Sequence, residues 1–217
     1  MAKDLAIVLN NGSINSAVVT ALASQRYRPI LLHGETSAQP GSRVRAAYEQ
    51  QVAQFKPYRE YSIPIAFTAH LPANSNNVVA DPRQTTPIAP QLIDLLPLIS
   101  VAVRLAAHHE AAAIYVGLRT GPAADELAQA TEYLQIWNEM IQMPCSRSEL
   151  NVVAPLMELD PWQVIDVGFQ VNAPFDRTWS CLENGSEPCL ACRGCRAREA
   201  AFQQAAKADP LATTRKA

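Results

Sequence analysis

Strong charge of either sign is missing from this sequence. Its 217 residues carry a formal net charge of -2, with a calculated pI of about 6.1. That balance gives no global attraction to nucleic acid or to an anionic membrane. No leader is expected either: Met1-Ala2-Lys3-Asp4 is followed by only five apolar residues before Asn10, too few for a signal peptide or a membrane span. The longest later apolar stretch, Leu92 to Ala107, carries Asp94 and Arg104 and falls short of a bilayer, so it reads as a core helix. No Gly-Lys-Ser or Gly-Lys-Thr occurs, which excludes a Walker-type phosphate loop. Nothing repeats at the periods of a coiled coil or a solenoid.

What is present concentrates near the end of the chain. Cys181, Cys189, Cys192 and Cys195 are spaced C-x7-C-x2-C-x2-C. Four soft ligands within fifteen residues suffice for one tetrahedral zinc, and four protein thiolates leave no position for a bound water, so the metal would be structural. The same four thiolates would also hold an iron-sulfur cluster, which spacing alone does not exclude. A disulfide framework is the third reading, set against an odd count of five cysteines and the lack of an export signal ahead of them. Gly185 and Gly194 are expected to give the turns their backbone freedom. Cys145 stands apart and reads as a buried small hydrophobe. Metal-type cysteine spacing without a leader points to a reducing, cytoplasmic setting.

The hydrophobic pattern predicts an α/β chain. Leu5 to Leu9 is a continuous apolar run, as expected of a central strand covered on both faces, and Asn15 to Ser24 follows at helical spacing. Pro29 to Leu32 predicts a second strand and Arg43 to Phe55 an amphipathic helix. Tyr61 to Ile65 predicts a third strand near an edge, because Pro64 cannot donate to a ladder. Leu71 to Pro90 reads as a long loop, then Leu92 to His108 as a helix, Ala112 to Gly117 as a strand and Glu126 to Ile141 as a helix. Asn151 to Pro155 is a short strand, and Asp160-Pro161-Trp162 opens another helix with an acidic cap and an early proline. Arg193 to Ala208 is a small helix beside the metal, with a frayed tail from Asp209. The division is an α/β domain over 1–175, a cysteine module over 176–210 and a disordered tail over 211–217.

The turn after the first strand, Asn10-Asn11-Gly12-Ser13-Ile14-Asn15-Ser16, is the second chemical candidate. A small-residue turn at a helix N-terminus presents backbone N–H groups and a favourable dipole to a phosphate or pyrophosphate. The alternative is an ordinary strand-to-helix turn with an Asn or Ser cap. Leu118 to Ala128 lies at the carboxyl end of a predicted core strand, where open parallel sheets bind ligands, and Arg119 is placed there to meet a carboxylate, a phosphate or an ion-pair partner. His33 and Glu35 read as solvated residues at the end of the second strand, or as neighbours of a nucleotide or metal. Phe175 and Trp179 read as packing against the cysteine module or as stacking partners for a planar base. Arg193, Arg196 and Arg198 are offset by Glu183, Glu187 and Glu199, so no direct nucleic-acid contact is expected.

These segments together resemble the 7-cyano-7-deazaguanine synthase family of queuosine biosynthesis, built on the N-type ATP pyrophosphatase fold. The resemblance rests on Thr178-Trp179-Ser180-Cys181, Pro188-Cys189-x-x-Cys192-x-x-Cys195, Arg198 to Phe202, Asp209-Pro210 and the approach Ala154 to Met157. It implies a Rossmann-like three-layer sandwich with a small zinc module, ATP with Mg2+ as cosubstrates, a homodimer and a heterocyclic carboxylic acid as substrate. The implied reaction activates 7-carboxy-7-deazaguanine as an adenylate, amidates it with ammonia and dehydrates the amide to a nitrile. The family carries Ser-Gly-Gly-x-Asp-Ser where this chain has Asn11, Gly12, Ser13, Ile14, Asn15 and Ser16. Ser13 adds a side chain where phosphate approaches closely, and Asn15 removes a carboxylate suited to a hard cation. The family's Asp-Tyr-Gly-Gln segment is replaced by His33-Gly34-Glu35-Thr36, and Thr86 to Gln91 lacks the arginine and asparagine of its Pro-x-Arg-Asn segment. Two expectations follow: an ATP-dependent ligase with an altered pyrophosphate loop, or an inactive or repurposed scaffold that binds a nucleotide-like ligand or a partner protein.

Overall fold

The computed structural model describes residues 4–35, 42–65, 88–121, 124–183 and 185–213. Five parallel strands form one sheet in the order β3-β2-β1-β4-β5: β1 (Leu5–Leu9), β2 (Arg28–Glu35), β3 (Arg59–Pro64), β4 (Ala113–Tyr115) and β5 (Asn151–Val153). β1 is central, as its unbroken apolar run requires, and β3 with Pro64 lies at an edge.

Alternation along the strands sends side chains to two separate cores. Ile7 and Leu9 of β1, with Ile30 and Leu32 of β2, pack under α3 (Ile88–His109) and α4 (Ala124–Cys145). Val8 and Leu31 face the opposite layer of α1 (Ile14–Arg26), α2 (Arg43–Phe55), α5 (Pro161–Gln170) and α6 (Arg193–Gln204). Each fully buried Ile, Leu or Val contributes on the order of 1.5–3 kcal/mol. The result is the expected three-layer, Rossmann-like sandwich.

α5 begins as its sequence predicts: Asp160 is the N-cap, Pro161 follows, and the Gln163 side chain accepts the Asp160 backbone N–H at 2.8 Å. Three expectations need correction. α3 starts at Ile88, so Ile88 to Pro90 are helical, while the rest of the predicted 71–90 loop lies outside the described residues. By length and composition alone Gln91–His109 suits a membrane span, yet Leu92, Ile99, Ala102 and Ala106 are buried against the sheet. α4 continues past Ile141 through Pro144 to Cys145, and Cys145 is half-buried against the α3/α4 core rather than fully enclosed.

The end of the described chain is anchored rather than frayed. Arg198 is 7% exposed and donates from Nε and Nη2 to the two carboxylate oxygens of Asp209, at 2.6 and 2.7 Å. Its remaining donors reach Thr178 Oγ1 and the Phe175 carbonyl oxygen, and α7 (Pro210–Thr213) follows. A bidentate guanidinium–carboxylate pair fixes both groups in orientation as well as distance. α6 therefore belongs to the same core as the sheet layer, through Ala201 and Phe202.

Candidate functional site

The turn between β1 and α1 is held by side chains of its own sequence. Asn10 is buried, and its amide nitrogen donates to Thr20 Oγ1 at 3.0 Å and Gln51 Oε1 at 2.8 Å. Its Oδ1 accepts the Gly12 N–H at 2.8 Å, while Asn11 Oδ1 accepts the Ser13 N–H at 3.2 Å and the Ser16 hydroxyl at 2.6 Å. Ser16 Oγ accepts the Asn11 N–H at 3.1 Å, and Ser13 Oγ caps the Ser16 N–H at 3.3 Å. The N–H groups of Asn11, Gly12, Ser13 and Ser16 are thus all engaged within the loop.

Gly12 is the one loop position where glycine is obligatory. Its φ is +77°, and a Cβ there would lie 2.7 Å from the Val44 carbonyl oxygen and 2.9 Å from Ala47 Cβ. Its carbonyl accepts the Trp179 N–H at 2.9 Å, so the start of the cysteine region is stitched to this turn. Asn15 Nδ2 donates to the Gly117 carbonyl oxygen at 3.1 Å, tying α1 to the end of β4. β1 lies between β2 and β4, so this link crosses the switch point at which open parallel sheets form their ligand crevice.

His33 supports the turn from behind. It is not a solvated loop residue: it lies in β2, 3% exposed, stacked on Tyr48 with ring centroids 4.6 Å apart, and its Nδ1 is 3.0 Å from the Asn10 carbonyl oxygen. Burial lowers its pKa from the ordinary histidine value, against the opposing effect of that hydrogen bond. Glu35, at the strand end, pairs with Arg45 at 3.1 Å.

A cleft of about 820 Å³ opens at the carboxyl ends of β1 and β4. Ser13 and Asn15 line it on one side, Ser180 and Arg193 of the cysteine module on the other, with Trp162 and Trp179 also in its wall. Asn11, Gly12 and Ser16 do not line it: Gly12 and Ser16 are buried, Asn11 is exposed, and the three frame the loop. Phe175 is 2% exposed in the core and takes no part, whereas Trp179 is half-buried with the Arg43 guanidinium 5.7 Å from its ring. Among the described residues lining the cleft, Asp160 is the one carboxylate. Arg119 also lines it, half-buried, with Nη1 3.4 Å from the Leu159 carbonyl oxygen. Burial lowers the Arg119 pKa, and Asp160 opposes the shift. Sequence reasoning does not place Asp160 and Trp162 here, because they reach the cleft through packing of α5 beside α1 rather than through any local motif.

The four cysteines of the module converge. All four Sγ atoms lie within 4.8 Å of one another; Cys181 is 3.6 Å from Cys189 and 3.8 Å from Cys192. Four sulfurs about 2.3 Å from a common centre would stand roughly 3.8 Å apart at the corners of a tetrahedron. Backbone N–H groups point at the sulfurs as well: Glu183 and Cys189 at Cys181, Leu182 at Cys192 and Cys192 at Cys189, at 3.3 to 3.4 Å. Such donors favour thiolates. Burial raises the Cys192 pKa, but hydrogen bonds from backbone and neighbouring thiols outweigh it and bring the thiol to about 6. Burial and the protons it shares with Cys192 and Cys181 push Cys195 up to about 12. The donor set and separations fit one tetrahedral metal ion. The turn glycines act otherwise than expected: neither Gly185 nor Gly194 has positive φ, Leu190 does at 58°, and Gly194 is needed because a Cβ would overlap the Ser180 carbonyl oxygen.

A parallel sheet in this order, a crevice at its switch point and four converging cysteines define an open, doubly wound α/β protein with a candidate metal-binding appendage. Residues 5–206 match the family model described as queuosine biosynthesis protein QueC, and the chain belongs to that family. It is 25% identical over 217 residues to the 7-cyano-7-deazaguanine synthase of Chloroherpeton thalassium, covering 95% of each chain. It is 26% identical over 218 residues to that of Koribacter versatilis, covering 95% of this chain and 92% of the relative. Among solved structures, NMN synthetase from Francisella tularensis superposes with a TM-score of 0.49 at 14% identity, over 95% of this chain and 79% of that one.

Proposed function

We propose that the protein is an ATP-dependent carbon–nitrogen ligase that acts on 7-carboxy-7-deazaguanine or a closely similar heterocyclic acid, in the cleft between the Asn11–Ser16 turn and the cysteine module. The observation that carries this reading is the cleft itself: Ser13 and Asn15 stand on one wall and Trp162 and Trp179 offer flat surfaces for a planar base. A substrate carboxylate oxygen would attack the α-phosphorus of ATP and expel pyrophosphate. Ammonia would then displace AMP at the acyl carbon and lose a proton to give the amide; the amide oxygen would attack the α-phosphorus of a second ATP and expel a second pyrophosphate, and loss of AMP and both nitrogen protons would give the nitrile. Within this scheme the chain's residues bind and orient, and no side chain is called on as a nucleophile.

Mg2+ would enter largely on the nucleotide phosphates, because Asp160 is the single carboxylate among the described lining residues and the Asn15 amide is already committed to Gly117. Cys181, Cys189, Cys192 and Cys195 would hold one structural Zn2+, consistent with their separations and with a reducing, cytoplasmic setting. A homodimer is supported by the outer stripe of α4, where Tyr133, Ile136, Met140 and Met143 are exposed at helical spacing, and by the exposure of Ile93 and Leu96 on α3.

One observation favours the second reading, a scaffold that binds a nucleotide-like ligand without turnover: four N–H groups of the turn are taken by its own side chains. Pyrophosphate release by zinc-loaded protein with ATP, Mg2+, ammonia and 7-carboxy-7-deazaguanine separates the two, run beside Asn15→Asp. The ligase reading expects release that depends on the acid. No release from either protein, with no ATP binding, would sink it. Release from the variant alone would identify Asn15 as the position at which activity was lost.

A further inference from the structure

We propose that Arg119 is the oxyanion anchor of the cleft, taking the carboxylate of an acid substrate or a phosphoryl group of a nucleotide. The inference rests on the cleft being the ligand site, and it assigns the charge that selects the ligand.

Arg119 is a cation without an ion-pair partner among the described residues, and Asp160 acts on it only from farther away. Its hydrogen bond to the Leu159 carbonyl oxygen, at 3.4 Å, is at the long limit for such a bond. A guanidinium has five N–H donors in a rigid fork, and a partly desolvated one is ordinarily matched by an anion. Arg198 shows how this fold treats a structural arginine: two carboxylate oxygens, a hydroxyl and a carbonyl occupy its fork. Arg119 has no such set and faces the open cleft.

The surroundings point the same way. Arg119 follows β4 two residues after Gly117, the carbonyl partner of Asn15, so it stands beside the turn where the sequence leads one to expect an anion. The turn itself has spent the N–H groups of Asn11, Gly12, Ser13 and Ser16 on internal bonds. Recognition of negative charge therefore passes from the backbone turn to a side chain across the switch point. The planar fork suits two oxygens on one carbon or phosphorus, and Trp162 and Trp179 provide flat walls for the ring that carries them.

The test is calorimetric, on zinc-loaded full-length protein without Mg2+. AMP is compared with adenosine, and 7-carboxy-7-deazaguanine with its neutral carboxamide. Wild type is expected to prefer at least one anion over its neutral counterpart by about tenfold or more. Arg119→Gln should erase that preference, leave the neutral ligand's affinity and the melting temperature unchanged, and Arg119→Lys should restore part of it. Preference for AMP assigns a phosphoryl group, and preference for the acid assigns a carboxylate. Absence of any anion preference in wild type, or its survival in Arg119→Gln, overturns the proposal. Pyrophosphate release measured on the same preparations keeps the two readings apart. Turnover with an unaltered preference in Arg119→Gln defeats the anchor and spares the ligase. A preference lost in Arg119→Gln without turnover by wild type does the reverse.

Discussion

Asn15 holds Gly117: its side-chain nitrogen donates to the Gly117 carbonyl oxygen at 3.1 Å, and a Cβ on Gly117 would come 3.1 Å from Asn15 Cβ. The first turn of α1 and the end of β4 are thus spaced by an amide that a carboxylate cannot imitate. Asn15→Asp turns a donor into a charged acceptor facing a carbonyl and should cost about 1–3 kcal/mol. Urea denaturation at pH 7 checks this, and the loss should shrink as the pH falls toward the pKa of the introduced carboxyl, which can donate again once protonated.

Gly12→Ala should cost more than Gly185→Ala. At Gly12 the left-handed backbone alone carries a penalty of roughly 1–2 kcal/mol, and the added methyl meets the backbone of α2. At Gly185 the nearest atom to an added Cβ is the Glu187 carbonyl oxygen at 3.2 Å, on an exposed turn that can shift. Equal denaturation midpoints for the two variants would contradict this ordering.

Arg198→Ala should be among the most destabilising single changes, by about 3–5 kcal/mol, because it takes the guanidinium away from the Asp209 carboxylate and removes a donor from Thr178 Oγ1 and from the Phe175 carbonyl. Truncation after Ala208 should reproduce much of that loss by removing the same carboxylate. Guanidinium unfolding of the two variants provides the comparison.

His33 predicts a pH dependence with a definite sign. Its folded pKa lies below the ordinary 6.5, so the unfolded chain binds the proton more readily. The contribution is full above about pH 6.5 and is lost as the pH falls below it. His33→Gln should flatten the stability profile between about pH 7 and pH 5; a slope unchanged by the substitution would show that another group governs it.

Metal removal should act on the cysteine region and on the Gly12 turn stitched to it. Cys192→Ser, or chelation of the wild type, should expose 178–204 to proteolysis and lower the metal content from about one ion per chain, because such a site contributes folding free energy. Cys145→Ser, on a residue packed against the α3/α4 core far along the chain, should leave both unchanged. Metal analysis with limited proteolysis distinguishes these outcomes.

The strands and most helices are legible because their signals are local: Leu5–Leu9 lacks polar interruption, and Asp160-Pro161 announces a helix start. The cysteine spacing likewise foretells the convergence of the four sulfurs. His33 escapes a sequence reading because its burial depends on Tyr48 from α2, and the anchored tail escapes it because Asp209 is fixed by Arg198 eleven residues earlier. The cleft is the least legible feature. Arg119 is legible at the end of its strand, but Asp160 and Trp162 join it only when α5 and β4 are folded together, and no short pattern records that meeting.

The hydrogen bond from the Trp179 N–H to the Gly12 carbonyl would give a metal held by the four cysteines a long reach. Gly12 has one carbonyl, and the residue that secures it stands two positions before the first cysteine of the module. A molecule short of metal would therefore carry its defect at both ends of the sequence, and the fraction of a preparation with a properly seated turn would track its metal occupancy more closely than its protein concentration.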